Sequence, residues 1–171
     1  MKILDTERLI LRFQTTEDAE FILELVNDPS WLKFIGDRGV RTIEDAKNDI
    51  LNGPIQMYKK KLGLGFLLVE RKEDQAPIGI CGLIKRESLE DIDIGFAFLP
   101  QYRGKGYAYE AAASVMAYGK DTLGLSRIVA ITRQENHHSI KLLEKLGLQF
   151  EQLIQLPNNP EEIVLLAWNR Q

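Results

Sequence analysis

The chain has 171 residues, of which 44% are hydrophobic and 27% charged, which suits one compact α/β domain with a core of its own. A formal net charge of −3 argues against a phosphate-tracking surface and so against direct nucleic-acid binding, although Arg103 and Lys105 make a local basic point. Cys81 is the only cysteine, which excludes an intramolecular disulfide; it lies in the apolar stretch 78–84, where a free thiol packs as a small hydrophobe. No apolar run suits a signal peptide or reaches the roughly 20 residues that span a bilayer, so no membrane association and a cytoplasmic location are the default expectations. Monomer and homodimer both stay open.

In chain order, residues 8–13 read as a strand. Thr16 is placed to cap the next helix, whose Phe21, Ile22, Leu25 and Val26 form a buried stripe at i, i+4 spacing and which stops before Pro29. Thr42, with Asp45 three residues on, starts a second helix that runs to about Asn52, before Gly53 and Pro54. From Leu64 the period becomes strand-like. Residues 66–70, 78–84 and 92–99 are strands, and turns at 72–77 and 87–91 make them an antiparallel meander.

After Pro100 come a helix over 104–123, a strand over 127–132, a helix over 136–146, and strands over 149–156 and 162–168. Strand alternating with helix at this spacing implies parallel pairing with right-handed crossovers. The expected fold class is α/β (α+β): residues 1–171 form a single domain around one mixed sheet of six or seven strands, flanked by helices.

Residues 101–106, Gln-Tyr-Arg-Gly-Lys-Gly, fall between a strand and a helix. Glycines let the backbone turn tightly and approach a ligand, and a helix start offers unpaired N–H groups that, with the helix dipole, suit a diphosphate. Arg103 and Lys105 add positive charge. An ATP-binding P-loop needs a hydroxyl residue after its lysine, but Lys105 is followed by Gly106. A dinucleotide fingerprint needs a third glycine where this chain has Tyr109, and a first-strand position that it lacks. A glycine-rich turn that merely starts a helix stays open for the loop alone.

The segment D-I-G-F-A-F-L-P-Q-Y-R-G-K-G-Y-A-Y-E-A resembles the acetyl-CoA signature of the GNAT N-acetyltransferase superfamily, Q/R-x-x-G-x-G/A after a strand. N-H-H-S-I-K-L-L-E-K-L-G-L at 136–148 resembles its next strand–helix element, and T-E-R-L-I-L-R at 6–12 resembles the opening of its ribosomal-protein N-terminal (RimJ/RimL-type) branch. The three blocks lie in order and span essentially the whole chain. The resemblance implies the mostly antiparallel sheet of the GNAT acyl-CoA N-acyltransferase fold. It also implies acetyl-CoA as co-substrate and an amine acceptor, either a protein N-terminus or a small molecule such as an amino acid, polyamine or antibiotic. A catalytically idle acyl-CoA-binding module is the third reading.

Carried over residue by residue, the resemblance gives the CoA diphosphate to backbone N–H groups of Arg103, Gly104, Lys105, Gly106, Tyr107 and Ala108. The pantetheine arm then runs along Phe98 and Leu99, where two strands splay apart; Pro100, without an N–H, ends sheet pairing there. Strand parity puts Ile92, Ile94, Phe96 and Phe98 on one face and Asp93, Gly95 and Ala97 on the other, with Leu99 at its end. The small residues of the second face either leave room for a ligand or permit close packing against a helix. Asp93 matches an acidic position that deprotonates the amine in many relatives, often through water; a solvated or helix-capping aspartate is the alternative.

Asn136 is an N-cap and, by resemblance, a pantetheine contact. Ser139 matches a serine proposed in the ribosomal-protein branch as the acid for the departing thiolate, or is an ordinary first-turn polar residue. Leu143 stands where many members carry a tyrosine as general acid, so that route is excluded. His137 and His138 lack metal-site spacing, and no metal is expected. Trp31, Phe34 and Met57 lie in the early helical region that walls the acceptor pocket in relatives.

Overall fold

The computed structural model describes residues 2–61 and 63–171. Their strands form one eight-stranded sheet in the order β1-β2-β3-β4-β5-β6-β8-β7. The strands are β1 (Lys2–Asp5), β2 (Leu9–Arg12), β3 (Gly65–Arg71), β4 (Ala76–Ile84), β5 (Asp93–Phe98), β6 (Arg127–Arg133), β7 (Gln149–Ile154) and β8 (Ile163–Asn169). The sheet is antiparallel except between β5 and β6. The additional strand is β1, a short Lys-Ile-Leu-Asp edge too polar at its ends to announce itself by alternation.

The expected run of parallel crossovers is corrected at the C-terminal end. β8 enters between β6 and β7 and pairs antiparallel with both. Its Ile-Val-Leu-Leu-Ala run is buried throughout, so it takes an inner position, whereas Gln149–Ile154 is mostly exposed and goes to the edge.

Six α-helices flank the sheet: α1 (Ala19–Val26), α2 (Pro29–Phe34), α3 (Ile43–Asn52), α4 (Pro54–Lys60), α5 (Tyr107–Ala117) and α6 (His137–Lys145). Thr42 and Asp45 form the expected capping box of α3. Before α1 the cap is Thr15 rather than Thr16: its hydroxyl accepts the Glu17 N–H, and Asp18 bonds back to the Thr15 N–H, around a 3-10 turn at Thr16–Asp18. Pro29 and Pro54 each begin a helix as well as ending the one before, because a first-turn proline gives up an N–H that has no intrahelical partner anyway. α5 is α-helical only to Ala117 and closes with a π-helical turn, Tyr118–Thr122, where a Cβ on Gly119 would come within 2.9 Å of Ile128.

Alternation along the central strands makes two cores. Leu67, Val69, Cys81, Leu83, Ile94 and Phe98 meet Ala111, Ala112, Val115 and Met116 of α5 on one face. On the other, Leu68, Ile80, Ala97 and Leu99 meet α1, α2 and α3. Cys81 is fully buried among these side chains, and desolvation pushes its thiol pKa up, which keeps it an inert packing element.

The β1–β2 turn is clamped to the first turn of α5. Glu110 accepts from the Thr6 hydroxyl, from the Arg8 N–H at 2.8 Å and from Arg8 Nε at 2.7 Å. Desolvation would raise the Glu110 pKa, but the bonds from Thr6 and Arg8 outweigh it and hold the carboxyl below its ordinary value of 4.5. A depressed carboxylate stabilises the fold above its unfolded pKa and loses that contribution as pH falls through the folded one. Glu110→Gln is therefore expected to cost about 1–2 kcal/mol at neutral pH, and the difference from the parent protein in denaturant unfolding should shrink as pH drops below 4.5.

Candidate active site

Gly106 is the N-cap of α5 and provides no side-chain cap, so the first-turn N–H groups of Tyr107, Ala108 and Tyr109 have no intrahelical acceptor. The first helical bond runs from Glu110 N–H to Gly106 C=O. Gly104 and Gly106 both sit in the left-handed region, at φ +74° and +82°. Such a loop cradles an anion with backbone donors. Arg8, missed by the sequence reading, supports it: Nη1 donates to the Lys105 carbonyl at 3.0 Å, and the guanidinium lies 4.3 Å from the Tyr107 ring centroid. Its signal was the T-E-R-L block, whose contact with the signature helix needs the sheet to be assembled.

Strands β5 and β6 share a single register pair, Asp93 with Val129, and then part. The Leu99 N–H bonds back to Ile78 on β4 at 3.0 Å. By the alternation of an antiparallel ladder, Phe98 turns its carbonyl to the opposite side, into the opening. There Arg103 donates to it from Nη2 at 2.7 Å and Nε at 3.0 Å, and reaches Asp28, the N-cap of α2, at 3.1 Å. Arg103 thus ties the glycine loop to the end of β5 and to α2, and its side chain is engaged within the protein.

The opening leads into a cavity of about 590 Å³. Of the residues named from sequence, Asp93, Phe98, Arg103, Gly104, Gly106, Tyr107, Ala108, Asn136 and Ser139 line it. Leu99 and Lys105 do not: Leu99 is buried against the α1–α3 core, and Lys105 is exposed with Nζ toward the Gln101 carbonyl. Trp31 and Phe34 line the cavity, whereas Met57 packs elsewhere against the core beside α5. Gly95 and Ala97 border the space, yet a Cβ on Gly95 would come within 2.9 Å of the Phe66 ring, so the small residues serve packing as well as access.

Asp93 neither caps a helix nor stands in solvent. It is 1% exposed, and its oxygens accept from Arg86 Nε at 3.0 and 3.2 Å and from Nη2 at 3.0 Å. Burial raises its pKa against the opposing pull of Arg86. Arg86 also lines the cavity and was not found from sequence, because a lone arginine in a turn carries no motif. Asn136 caps α6 as expected, accepting the Ser139 N–H at 3.3 Å. Leu143 is buried beside the cavity, where no phenol is available, while Tyr102, Tyr107 and Tyr109 line it from the loop side. Trp31 is 4% exposed, and its indole N–H is the only buried side-chain polar group without a partner among the described residues.

The sequence profile of the acetyltransferase (GNAT) domain family matches residues 8–149. The chain is 32% identical over 154 residues to the uncharacterised N-acetyltransferase YoaA of Bacillus subtilis (strain 168), covering 90% of this chain and 86% of that protein. It shares 40% identity over 52 residues with spermidine N(1)-acetyltransferase of Escherichia coli (strain K12), covering 30% of this chain and 28% of that one. RimL, a ribosomal L7/L12 α-N-protein acetyltransferase solved with coenzyme A, has the same fold at a TM-score of 0.83 and 16% identity, covering 99% of this chain and 98% of that one. The chain belongs to the GNAT acetyltransferase family. It is an acetyl-CoA-dependent N-acetyltransferase.

Replacing Gly106 tests the cradle. A branched side chain there meets both the positive φ and Arg8 Nη2, 3.2 Å from the Cβ position. Gly106→Val is expected to cost about 1–2 kcal/mol in the left-handed conformation, read calorimetrically as a coenzyme A affinity weaker by about five- to thirtyfold.

Proposed function

We propose that this chain moves an acetyl group from acetyl-CoA to a primary amine, first of all the N-terminal amine of a protein such as a ribosomal protein. The observation that carries the reading is one continuous cavity running from the uncapped α5 N-terminus to the buried Asp93–Arg86 pair. Backbone N–H groups of residues 104–108 hold the CoA diphosphate, with Lys105 contributing through its main chain; the Arg103 N–H is already given to the Pro100 carbonyl at 3.1 Å. Phe98 and Asn136 border the pantetheine path at the β5–β6 opening. The RimL fold supports a protein acceptor, while the spermidine acetyltransferase supports a small-molecule amine.

Transfer forms an N–C bond and breaks the thioester C–S bond; the sulfur keeps the electron pair, and the amine releases a proton. Asp93 is the proton acceptor in this reading, through water, because a desolvated carboxylate is a stronger base than a solvated one. Arg86 holds it in place. Ser139, at the start of α6 and on the cavity wall, is the candidate donor to the departing thiolate, since Leu143 cannot serve.

Acetyl-CoA offered with a mixed library of peptides and small amines should give products acetylated on N-terminal amines by mass spectrometry. Coenzyme A binding without any product above background would defeat the transfer reading. In the parent protein the acid limb of kcat/KM should lie above the ordinary carboxylate range, as the raised Asp93 pKa requires. Asp93→Asn should remove that limb and lower the rate by about 100-fold or more; an unchanged pH profile would leave Asp93 only as the partner of Arg86.

A further inference from the structure

The acceptor end of the cavity is bounded by Trp31, Phe34 and Ile35 of the α2 region, with Arg38 beyond them, and by Arg86 and Asp93 on the sheet side. Ile35 is 52% exposed, an apolar side chain left open at this wall. Both carboxylates that line the cavity are already matched: Asp28 pairs with Arg103 at 3.1 Å and Asp93 with Arg86 at 3.0 Å. The third lining guanidinium, Arg38, pairs with Asp49, which lies outside the lining. Guanidiniums therefore outnumber carboxylates around the space. A polycation entering it meets no unpaired anion, and must break a buried pair to find one.

A donor, by contrast, is available. Arg86 spends Nε and Nη2 on Asp93, while its Nη1 has no hydrogen-bond partner among the described residues; its side chain is 36% exposed. Trp31, whose unpartnered indole N–H is itself buried, belongs to the same wall. A guanidinium facing the acceptor also disfavours an ammonium, and so favours the neutral nucleophile that transfer needs.

From this pairing we propose that the acceptor is an α-aminoacyl unit with an apolar or aromatic side chain, whose carbonyl or carboxylate oxygen is received by Arg86 Nη1 and whose side chain lies against Trp31, Phe34 and Ile35. The proposal rests on the acetyl-transfer reading of the same site, and narrows it against polyamines. Arg86 is then an acceptor-binding residue, and a free amino acid and a protein N-terminus share the chemistry it reads.

The test compares acetylation of phenylalanine, a peptide beginning with phenylalanine, phenethylamine and spermidine, with coenzyme A affinity measured in parallel. The better of the two aminoacyl acceptors should exceed phenethylamine, which has the ring but no oxygen, by about tenfold or more in kcat/KM, and spermidine by more. A faster peptide identifies a protein N-terminus as the source, and a faster free phenylalanine identifies a metabolite. In Arg86→Gln, and in Arg86→Gln combined with Asp93→Asn so that no buried charge is left unpaired, the preference over phenethylamine should collapse toward unity with coenzyme A affinity unchanged. Phenethylamine or spermidine used as well as either aminoacyl acceptor, a preference that survives both variants, or no turnover of any of these acceptors by the CoA-bound parent protein would overturn the proposal. Loss of coenzyme A binding in the parent protein would instead overturn the acetyl-transfer reading beneath it.

Discussion

Everything at this site depends on β6 leaving β5 after one register pair. A sheet interior ordinarily satisfies every backbone polar group by its neighbour, so a gap between central strands exposes an edge that something else must meet. Here the Arg103 guanidinium takes the Phe98 carbonyl. The same gap brings the N-terminus of α5 to the mouth of the cavity and the start of α6 to its side. One missing stretch of ladder therefore opens the cavity and positions both helices that border it.

Ion pairs fix the parts around that gap. Arg8–Glu110 holds the β1–β2 turn to α5, Arg103–Asp28 holds the loop to α2, and Arg86–Asp93 crosses the floor of the cavity. Buried or half-buried pairs contribute little net stability once desolvation is counted, but removing one partner leaves an uncompensated charge. Their value here is positional. The pairs also neutralise the lining carboxylates of an acidic chain, so the site's electrostatics differ from what its overall charge of −3 suggests.

The glycine loop was legible in the sequence because its geometry is local: two glycines and a helix start with no capping side chain lie within a few residues of one another. Asn136 and the Thr42–Asp45 box were legible for the same reason, since a cap reaches only two or three residues along the chain. Arg86 and Arg8 were not, because each acts through a partner whose proximity exists only after folding: Arg86 across a turn to Asp93, and Arg8 to Glu110 in a distant helix. Leu99 and Lys105 show the converse. Both were named from the motif, yet Leu99 turns into the α1–α3 core and Lys105 into solvent.

The sequence by itself determined the alternation that divides the central strands between two cores, the caps of α3 and α6, and the glycine loop that opens α5, because periodicity and backbone chemistry act over a few residues. Only the tertiary structure decided that β8 would displace β7 from the inner position, since that choice weighs the burial of two whole strands against each other. It alone decided the charge around the cavity as well. The pairing of Asp93 with Arg86, and of Asp28 with Arg103, joins residues from separate elements, and the charge a substrate meets there is a property of those pairs rather than of any stretch of the chain.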